Sequence, residues 1–266
     1  MGLIMIHAIN PYGFAHLRRS NEDNIDLNRN FIDHTKPYPE NEGYKKLADV
    51  LLPKSLNTWT EMKLRIRLLW YRLKYGSAAM KRAVSGDQFS HPTNIFFGGH
   101  HEAWSNRMLK KILKRYLSNA KRVIFIDFHT GLGPFGSAEI ILNVSSDSPE
   151  YQRAVQMWGD LVKTTVSGDS LSVHLQSSLK LAIPRTIPQA EVTAVSLEFG
   201  TYSAKEVFLA LWAENWLYHY AGDNHPKTQE IKAELLRAFY PNTDEWKQLI
   251  WNHGQVIVDQ ALRHFQ

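Results

Sequence analysis

The chain of 266 residues contains no cysteine. Disulfide bonds, a thiolate nucleophile and cysteine-ligated metal sites are therefore excluded, and a bound metal would need histidine and carboxylate ligands. The sequence also has no apolar run as long as a membrane span, and its apolar start at residues 1–9 is too short for a signal peptide with a cleavage site. A Gly-x-Ser-x-Gly elbow is absent as well, which argues against a serine hydrolase. These absences predict a cytoplasmic protein with no membrane partner.

The composition is that of an ordinary globular protein, with 44% hydrophobic and 21% charged residues. Its length is close to the upper limit for one hydrophobic core, so we expect a single domain over residues 1–266. The net charge of +5 comes from Lys and Arg spread along helical segments and not from a basic tail. We therefore expect no nucleic-acid partner.

Alternation of strand and helix patterns predicts an α/β fold, with a mainly parallel mixed sheet flanked by helices. The apolar run at residues 1–9 is typical of a buried parallel strand, and residues 10–42 are predicted to form a long surface loop. A helical insertion is expected at about residues 34–119. Further strands are predicted at residues 123–129, 138–144 and 192–199, and helices at residues 45–52, 62–75, 102–117, 149–166, 205–220, 228–239 and 245–265.

Two of the predicted strands end in residues that can carry chemistry. His129 ends the strand at residues 123–129 and shares a face with Asp127, because side chains two apart in a strand point the same way. Glu198 ends the strand at residues 192–199, and Gly200 beyond it allows a sharp turn. In α/β sheets ligands gather at the carboxyl ends of the strands, so both side chains are candidates for a site.

A third motif, Asp-Leu-Asn-Arg-Asn-Phe at residues 26–31, lies in the predicted loop. The planar guanidinium of Arg29 suits a carboxylate, and the amide of Asn28 provides a second donor.

Three segments in this order resemble the zinc carboxypeptidase and aspartoacylase-like superfamily, most closely its bacterial branch of uncharacterised carboxypeptidase-like proteins. They are residues 10–31, with Asn-Pro-Tyr-Gly-Phe at the start, Asp-Phe-His-Thr-Gly at 127–131 and Ser-Leu-Glu-Phe-Gly-Thr at 196–201. The resemblance implies that His129 is a zinc ligand, Glu198 the catalytic acid and base, and Asn28 with Arg29 the site for the substrate carboxylate. It also implies an upstream arginine at the scissile carbonyl, for which Arg19 is our choice and Arg18 the alternative.

The superfamily takes its first two zinc ligands from a His-x-x-Glu turn ahead of the Asn-Pro segment, and only nine residues precede Asn10 here. We therefore expect an N-terminally truncated fold of this type, with an incomplete zinc site that binds the metal weakly. The adjacent His100, His101 and Glu102 are interpreted as a helix start, because neighbouring side chains rarely converge on one ion.

The resemblance predicts a zinc-dependent metallocarboxypeptidase or N-acyl amino acid amidohydrolase, acting on a small peptide or acylated amino acid with a free carboxylate. One alternative is an inactive carboxylate-binding remnant. Another is a nicotinamide-dependent enzyme, since Gly131 to Gly136 spells a dinucleotide fingerprint, although a strand and not a helix is predicted after it. The basic stretch at residues 63–75 is interpreted as a solvated amphipathic helix.

Overall fold

A mixed four-stranded sheet forms the centre of the protein in a computed structural model, which describes residues 1–222 and 224–265. Its strands are β1 (Arg122–Thr130), β2 (Ala138–Leu142), β3 (Val162–Thr164) and β4 (Glu191–Phe199), in the spatial order β1-β4-β2-β3. Strand β4 runs parallel to β1, β3 runs parallel to β2, and β2 is antiparallel to β4. The α/β fold with a mainly parallel mixed sheet is therefore confirmed.

Eleven α-helices are found in the described residues. They are α1 (Pro11–Ala15), α2 (Glu42–Lys45), α3 (Ala48–Leu51), α4 (Thr58–Tyr75), α5 (Ser77–Ser85), α6 (Trp104–Leu117), α7 (Pro149–Trp158), α8 (Leu179–Thr186), α9 (Ala204–Trp216), α10 (Thr228–Phe239) and α11 (Asp244–Arg263). A π-helical turn, Leu217–Ala221, extends α9, and 3-10 turns lie at Leu27–Arg29 and Gly159–Leu161. None of these helices is both long and apolar enough to cross a bilayer.

The two faces of β1 and β4 bury different cores, because successive side chains point to opposite sides. On one face Val123, Val192 and Ala194 pack against apolar side chains of α6 and α8. On the other face Val195 and Leu197 pack against α7 and α11. Helices therefore cover both faces of the sheet, and the first face carries the candidate site at its end.

The predicted helical insertion contains helices α2 to α6, of which α2 to α5 build a separate apolar cluster against α9 and α10. Leu64 and Tyr71 of α4 are buried in this cluster, and the indole nitrogen of Trp212 donates a hydrogen bond to the carbonyl of Val50 at 2.9 Å. Because that contact spans more than 160 positions of sequence, it joins the helical segment to the part of the chain that follows β4.

The prediction of a buried strand at residues 1–9 is wrong. Residues 1–6 have no regular structure and are exposed. A strand needs a partner for its backbone hydrogen bonds, and residues 1–9 pair with none of the four strands. An apolar sequence alone therefore does not make these residues part of the sheet.

The prediction of a surface loop at residues 10–42 is also wrong in part. Helix α1 and the 3-10 turn lie within it, and Ile25, Asp26, Arg29 and Asn30 are buried. Polar side chains make this possible by satisfying backbone groups. Asn30 is an example, since its amide nitrogen donates at 2.8 Å to the carbonyls of both Gly98 and His101.

Two predicted helices are shorter than expected. The helix predicted at residues 149–166 ends at Trp158, since Gly159 takes a φ of 59° that ends the helix, and β3 follows. The helix predicted at residues 45–52 is divided into α2 and α3. Helices α5 and α8 and strand β3 were not predicted.

Candidate functional site

A cleft opens where β1 and β4 end. His129 and Glu198 are register partners in the parallel pair, so their side chains lie on the same face of the sheet. Asp127 and Ser196 are partners one step earlier on that face. The prediction that His129 and Glu198 lie at neighbouring strand ends and face one cleft is confirmed, and their chemical roles remain predictions.

The cleft has an outer part and an inner part. The outer part, with a cavity volume of about 190 Å³, is lined by Ile9, Asn10, Arg19, Asp26, Leu27, Asn28, Phe31, Asp127, Phe128, His129 and Leu179. The inner part is lined by Asn28, His129, Asn143, Ser172, Val173, Leu175, Ser178, Lys180, Ser196 and Glu198. Asn28 and His129 line both parts, so the two parts meet at these residues.

Asp127 holds the ring of His129 in place. The Nε2 atom of His129 lies 2.6 Å from the Oδ2 atom of Asp127. The side chain of His129 is one-quarter exposed. Burial lowers the pKa of His129, but the carboxylates of Asp127 and Glu198 outweigh burial and raise that pKa above its ordinary value. The pair therefore presents an oriented imidazole at the boundary between the two parts of the cleft.

Glu198 is almost completely buried, and its Oε1 atom accepts a hydrogen bond from the backbone nitrogen of Leu132 at 3.0 Å. Burial raises the pKa of Glu198, and the nearby His129 opposes that change. A buried carboxyl group with a raised pKa holds a proton more readily than an exposed one.

Gly200 fixes the loop that supplies the Leu132 donor. A Cβ atom at this position would lie only 1.8 Å from the carbonyl oxygen of Pro134. The close approach allows two backbone hydrogen bonds of 3.0 Å, from Gly200 to Ser137 and from Gly136 back to Gly200. The glycine after the strand therefore holds the 131–137 loop against β4, as its position in the sequence suggested.

Asn28 and Arg19 lie on the wall opposite the sheet. The Oδ1 atom of Asn28 accepts a hydrogen bond from the backbone nitrogen of Leu179 at 3.2 Å, which points its amide nitrogen away from that contact. Arg19 donates from Nε to the Oδ2 atom of Asp26 at 2.8 Å and keeps 30% of its side chain exposed. Both residues are therefore available to a ligand.

The prediction that Arg29 points into the cleft is wrong. Arg29 is buried, forms an ion pair with Asp26, and donates to the backbone carbonyls of Ser85 and Gly86 at 2.5 and 3.4 Å. A guanidinium surrounded by these acceptors has its donors satisfied inside the fold, and it lines neither part of the cleft. Arg29 organises the loop beneath Asn28 and does not reach a substrate in this structure.

Arg18, the alternative to Arg19, lies elsewhere. Its Nε atom donates to the Oε1 atom of buried Glu214 at 2.8 Å, and its guanidinium stacks 3.3 Å from the ring centroid of Tyr218. Of the two neighbouring arginines only Arg19 lines the cleft. The structure therefore favours Arg19 over Arg18 as the arginine that could meet a ligand.

Lys180 is a cleft residue that sequence reasoning missed. It is buried near the start of α8, and its Nζ atom donates to the carbonyl of Ile141 at 3.0 Å. Burial lowers the pKa of Lys180 to about 8, against the opposing effect of Asp127, Glu198 and Glu139. A charged residue inside the apolar run at residues 179–183 was the available signal.

The described residues do not form a complete zinc site. Catalytic zinc takes three protein ligands and a water molecule. Within residues 1–222 and 224–265 no group of three or more His, Cys, Asp or Glu side chains is arranged to hold a metal ion. His129 is the single histidine that lines the cleft, and Asp127 and Glu198 already accept hydrogen bonds from His129 and Leu132.

The two histidines at 100 and 101 and the glycines at residues 131–136 provide no ligand site of the kind considered for them. His100 is bound to the carbonyl of Phe89 through Nε2 at 2.6 Å, and His101 lies 3.4 Å from Asp23 on the surface, so neither lines the cleft. The glycines between Gly131 and Gly136 connect β1 directly to β2, so they precede no helix N-terminus that could bind a phosphate. The nicotinamide alternative therefore has no structural support from this loop.

Comparison with known proteins identifies a family for this chain but no individual protein similar to it. No curated protein matches the chain, and no solved structure matches it. A family model described as "Protein of unknown function (DUF2817)" matches residues 1–253. That match covers almost the whole chain, and the protein therefore belongs to the DUF2817 family.

Proposed function

We propose that this protein is a cytoplasmic relative of the zinc carboxypeptidases and aspartoacylase-like amidohydrolases, whose cleft takes a small peptide or an acylated amino acid with a free carboxylate. The observation that carries the proposal is the register pairing of His129 with Glu198, at the carboxyl ends of two parallel strands. Asn28 and Arg19 stand across the cleft from this pair. The reaction would be hydrolysis of the amide next to the carboxylate.

In this proposal the substrate's carboxylate binds in the inner part of the cleft. Lys180 provides the positive charge there, and the amide of Asn28 provides a neutral donor. Lys180 thus takes the role that the sequence assigned to Arg29.

Glu198 is proposed as the group that moves protons. As water attacks the amide carbonyl, the Glu198 carboxylate accepts a proton from the water and then gives it to the departing amine, which breaks the carbon–nitrogen bond. Arg19 faces the outer part of the cleft, where its guanidinium can donate to the carbonyl oxygen. His129, fixed by Asp127, would be the residue through which zinc is held, and we propose that zinc binding by this chain is weak.

The second candidate is a protein that binds such carboxylates without cleaving them. It is favoured by the single histidine in the cleft and by the lack of a three-ligand group in the described residues. Binding of a carboxylate requires Lys180 and Asn28 but not Glu198. Only the first candidate function therefore depends on Glu198.

The decisive experiment measures amino acid release from a panel of N-acyl amino acids and dipeptides, with zinc added. We expect slow hydrolysis, and we expect Glu198→Gln to abolish it. Glu191→Gln, which changes an exposed residue at the far end of the same strand, should leave the hydrolysis rate unchanged. Substrates whose carboxylate is replaced by a carboxamide should not be cleaved. Binding without turnover in every variant would establish the second candidate. Cleavage that survives Glu198→Gln would refute the assigned role.

A further inference from the structure

Helix α4 has two apolar faces. One is buried, with Leu64 and Tyr71 in the cluster of the helical segment. The other is exposed and consists of six large side chains: Trp59, Met62, Ile66, Leu69, Trp70 and Leu73. Between 42% and 78% of each of these six residues is accessible to solvent. A solvated amphipathic helix, which the sequence favoured, would instead bury its apolar residues and expose polar ones.

The exposed residues form one continuous stripe, which we call the α4 stripe. At 3.6 residues per turn the six positions fall within about 100° of the helix circumference, on the side away from the core. From Trp59 to Leu73 the stripe is about 21 Å long, at 1.5 Å per residue. Scattered exposed apolar residues are normal on a protein surface, but a continuous stripe of this length marks an interaction surface.

Basic residues border the α4 stripe on both sides. The helical spacing places Lys63, Arg67 and Lys74 along one border and Arg65 and Arg72 along the other. Glu61 pairs with Arg65, and Asp49 lies 3.4 Å from both Lys63 and Arg67. Five positive and two negative charges leave a net charge of +3 around the stripe.

We propose that the α4 stripe is a docking surface for an anionic membrane. A helix that lies in a membrane interface presents an apolar face with Trp and Leu between Lys and Arg residues, which is the arrangement of α4. Trp59 and Trp70 are the residue type that prefers the level of the lipid headgroups. Since none of the described helices is able to cross a bilayer, the contact would be peripheral.

Two other occupants fit less well. A second copy of the protein would bring two borders of like charge together, because both helices would carry the same basic residues around the stripe. A nucleic acid would satisfy the basic borders but would leave the apolar stripe without a partner. A surface with anionic headgroups above apolar chains satisfies both features at once.

The test is co-sedimentation of the full chain with vesicles of phosphatidylcholine, with or without phosphatidylglycerol. We expect binding to the vesicles that contain phosphatidylglycerol, and weaker binding at high salt because the charges are then screened. Each basic residue near an anionic surface contributes a factor of about five, which is ~1 kcal/mol. The double change Arg65→Gln with Arg72→Gln should therefore weaken binding about tenfold to thirtyfold.

Trp59→Gln with Ile66→Gln tests the apolar part. Both residues are exposed, so the fold should persist, and vesicle binding should be lost. Trp251→Gln on α11 is the matched control, because Trp251 is as exposed as Trp59, and it should bind like the unchanged protein. No binding to the anionic vesicles, or equal binding by the Trp59 and Trp251 variants, would overturn the proposal. So would a dimer in solution that Trp59→Gln dissociates.

Discussion

Replacing Lys180 by methionine should change how the stability of the protein depends on pH. Lys180 is buried, forms one hydrogen bond to a backbone carbonyl and has a pKa lowered from 10.5 to about 8. Between about pH 8 and pH 10.5 the unfolded chain keeps a proton on this amine, whereas the folded chain has lost it. Because the unfolded state then binds more protons, the free energy of unfolding rises with pH across this range.

The size of the effect follows from the two pKa values. At about 1.4 kcal/mol for each pH unit, the change from 10.5 to about 8 corresponds to about 3 kcal/mol. Methionine has a similar length and no titrating group, so its variant lacks this rise. The difference in unfolding free energy between the unchanged protein and Lys180→Met should therefore shift by about 3 kcal/mol in favour of the unchanged protein as pH rises through this window.

Urea unfolding followed by circular dichroism, at pH values below 8 and above 10.5, measures this difference. Tyrosines and other lysines titrate in both proteins, so their contributions cancel. Lys205→Met, which changes an exposed lysine in α9, is the control and should run parallel to the unchanged protein. If the difference for Lys180→Met stays constant within about 1 kcal/mol, the amine is not held in the desolvated environment that the structure describes. The same variant should also bind N-acyl amino acids at least tenfold more weakly, since a hydrogen bond to a charged group contributes about 1.5–3 kcal/mol.

Three further changes test the cleft. Asp26→Asn should lower the free energy of unfolding, measured in urea, by about 3–5 kcal/mol, because it leaves buried Arg29 without its ion-pair partner. A decrease below about 1 kcal/mol would show that the ion pair does not stabilise the fold. Gly200→Ala should prevent the 131–137 loop from closing, since its Cβ would lie 1.8 Å from the carbonyl oxygen of Pro134, and an unchanged thermal midpoint would contradict this contact. The purified chain should contain much less than one zinc per molecule by elemental analysis, because a single histidine among the described residues lines the cleft. Tightly held, stoichiometric zinc would disprove the incomplete ligand set.

The sequence was sufficient to predict strands β1, β2 and β4 and to place His129 and Glu198 at neighbouring strand ends. Apolar runs with β-branched residues define β1 and β4, and the period of two in a strand puts Asp127 beside His129. Both chemical residues end their strands, and parallel strands bring their carboxyl ends together. These features depend on short-range patterns and on the general rules of α/β sheets, so they can be read without coordinates.

Only the tertiary structure decided which basic residues reach the cleft. Arg29 turns away because Asp26 and two backbone carbonyls satisfy its guanidinium inside the fold, and Lys180 enters because α8 packs against the sheet. Residues 1–9 have a strand-like sequence but no strand beside them to pair with. Helix α4 has apolar residues on two sides, and only the packing of its neighbours determines which side remains exposed. In each case the outcome depends on partners that are distant in the sequence, whereas local patterns report only what a segment could do.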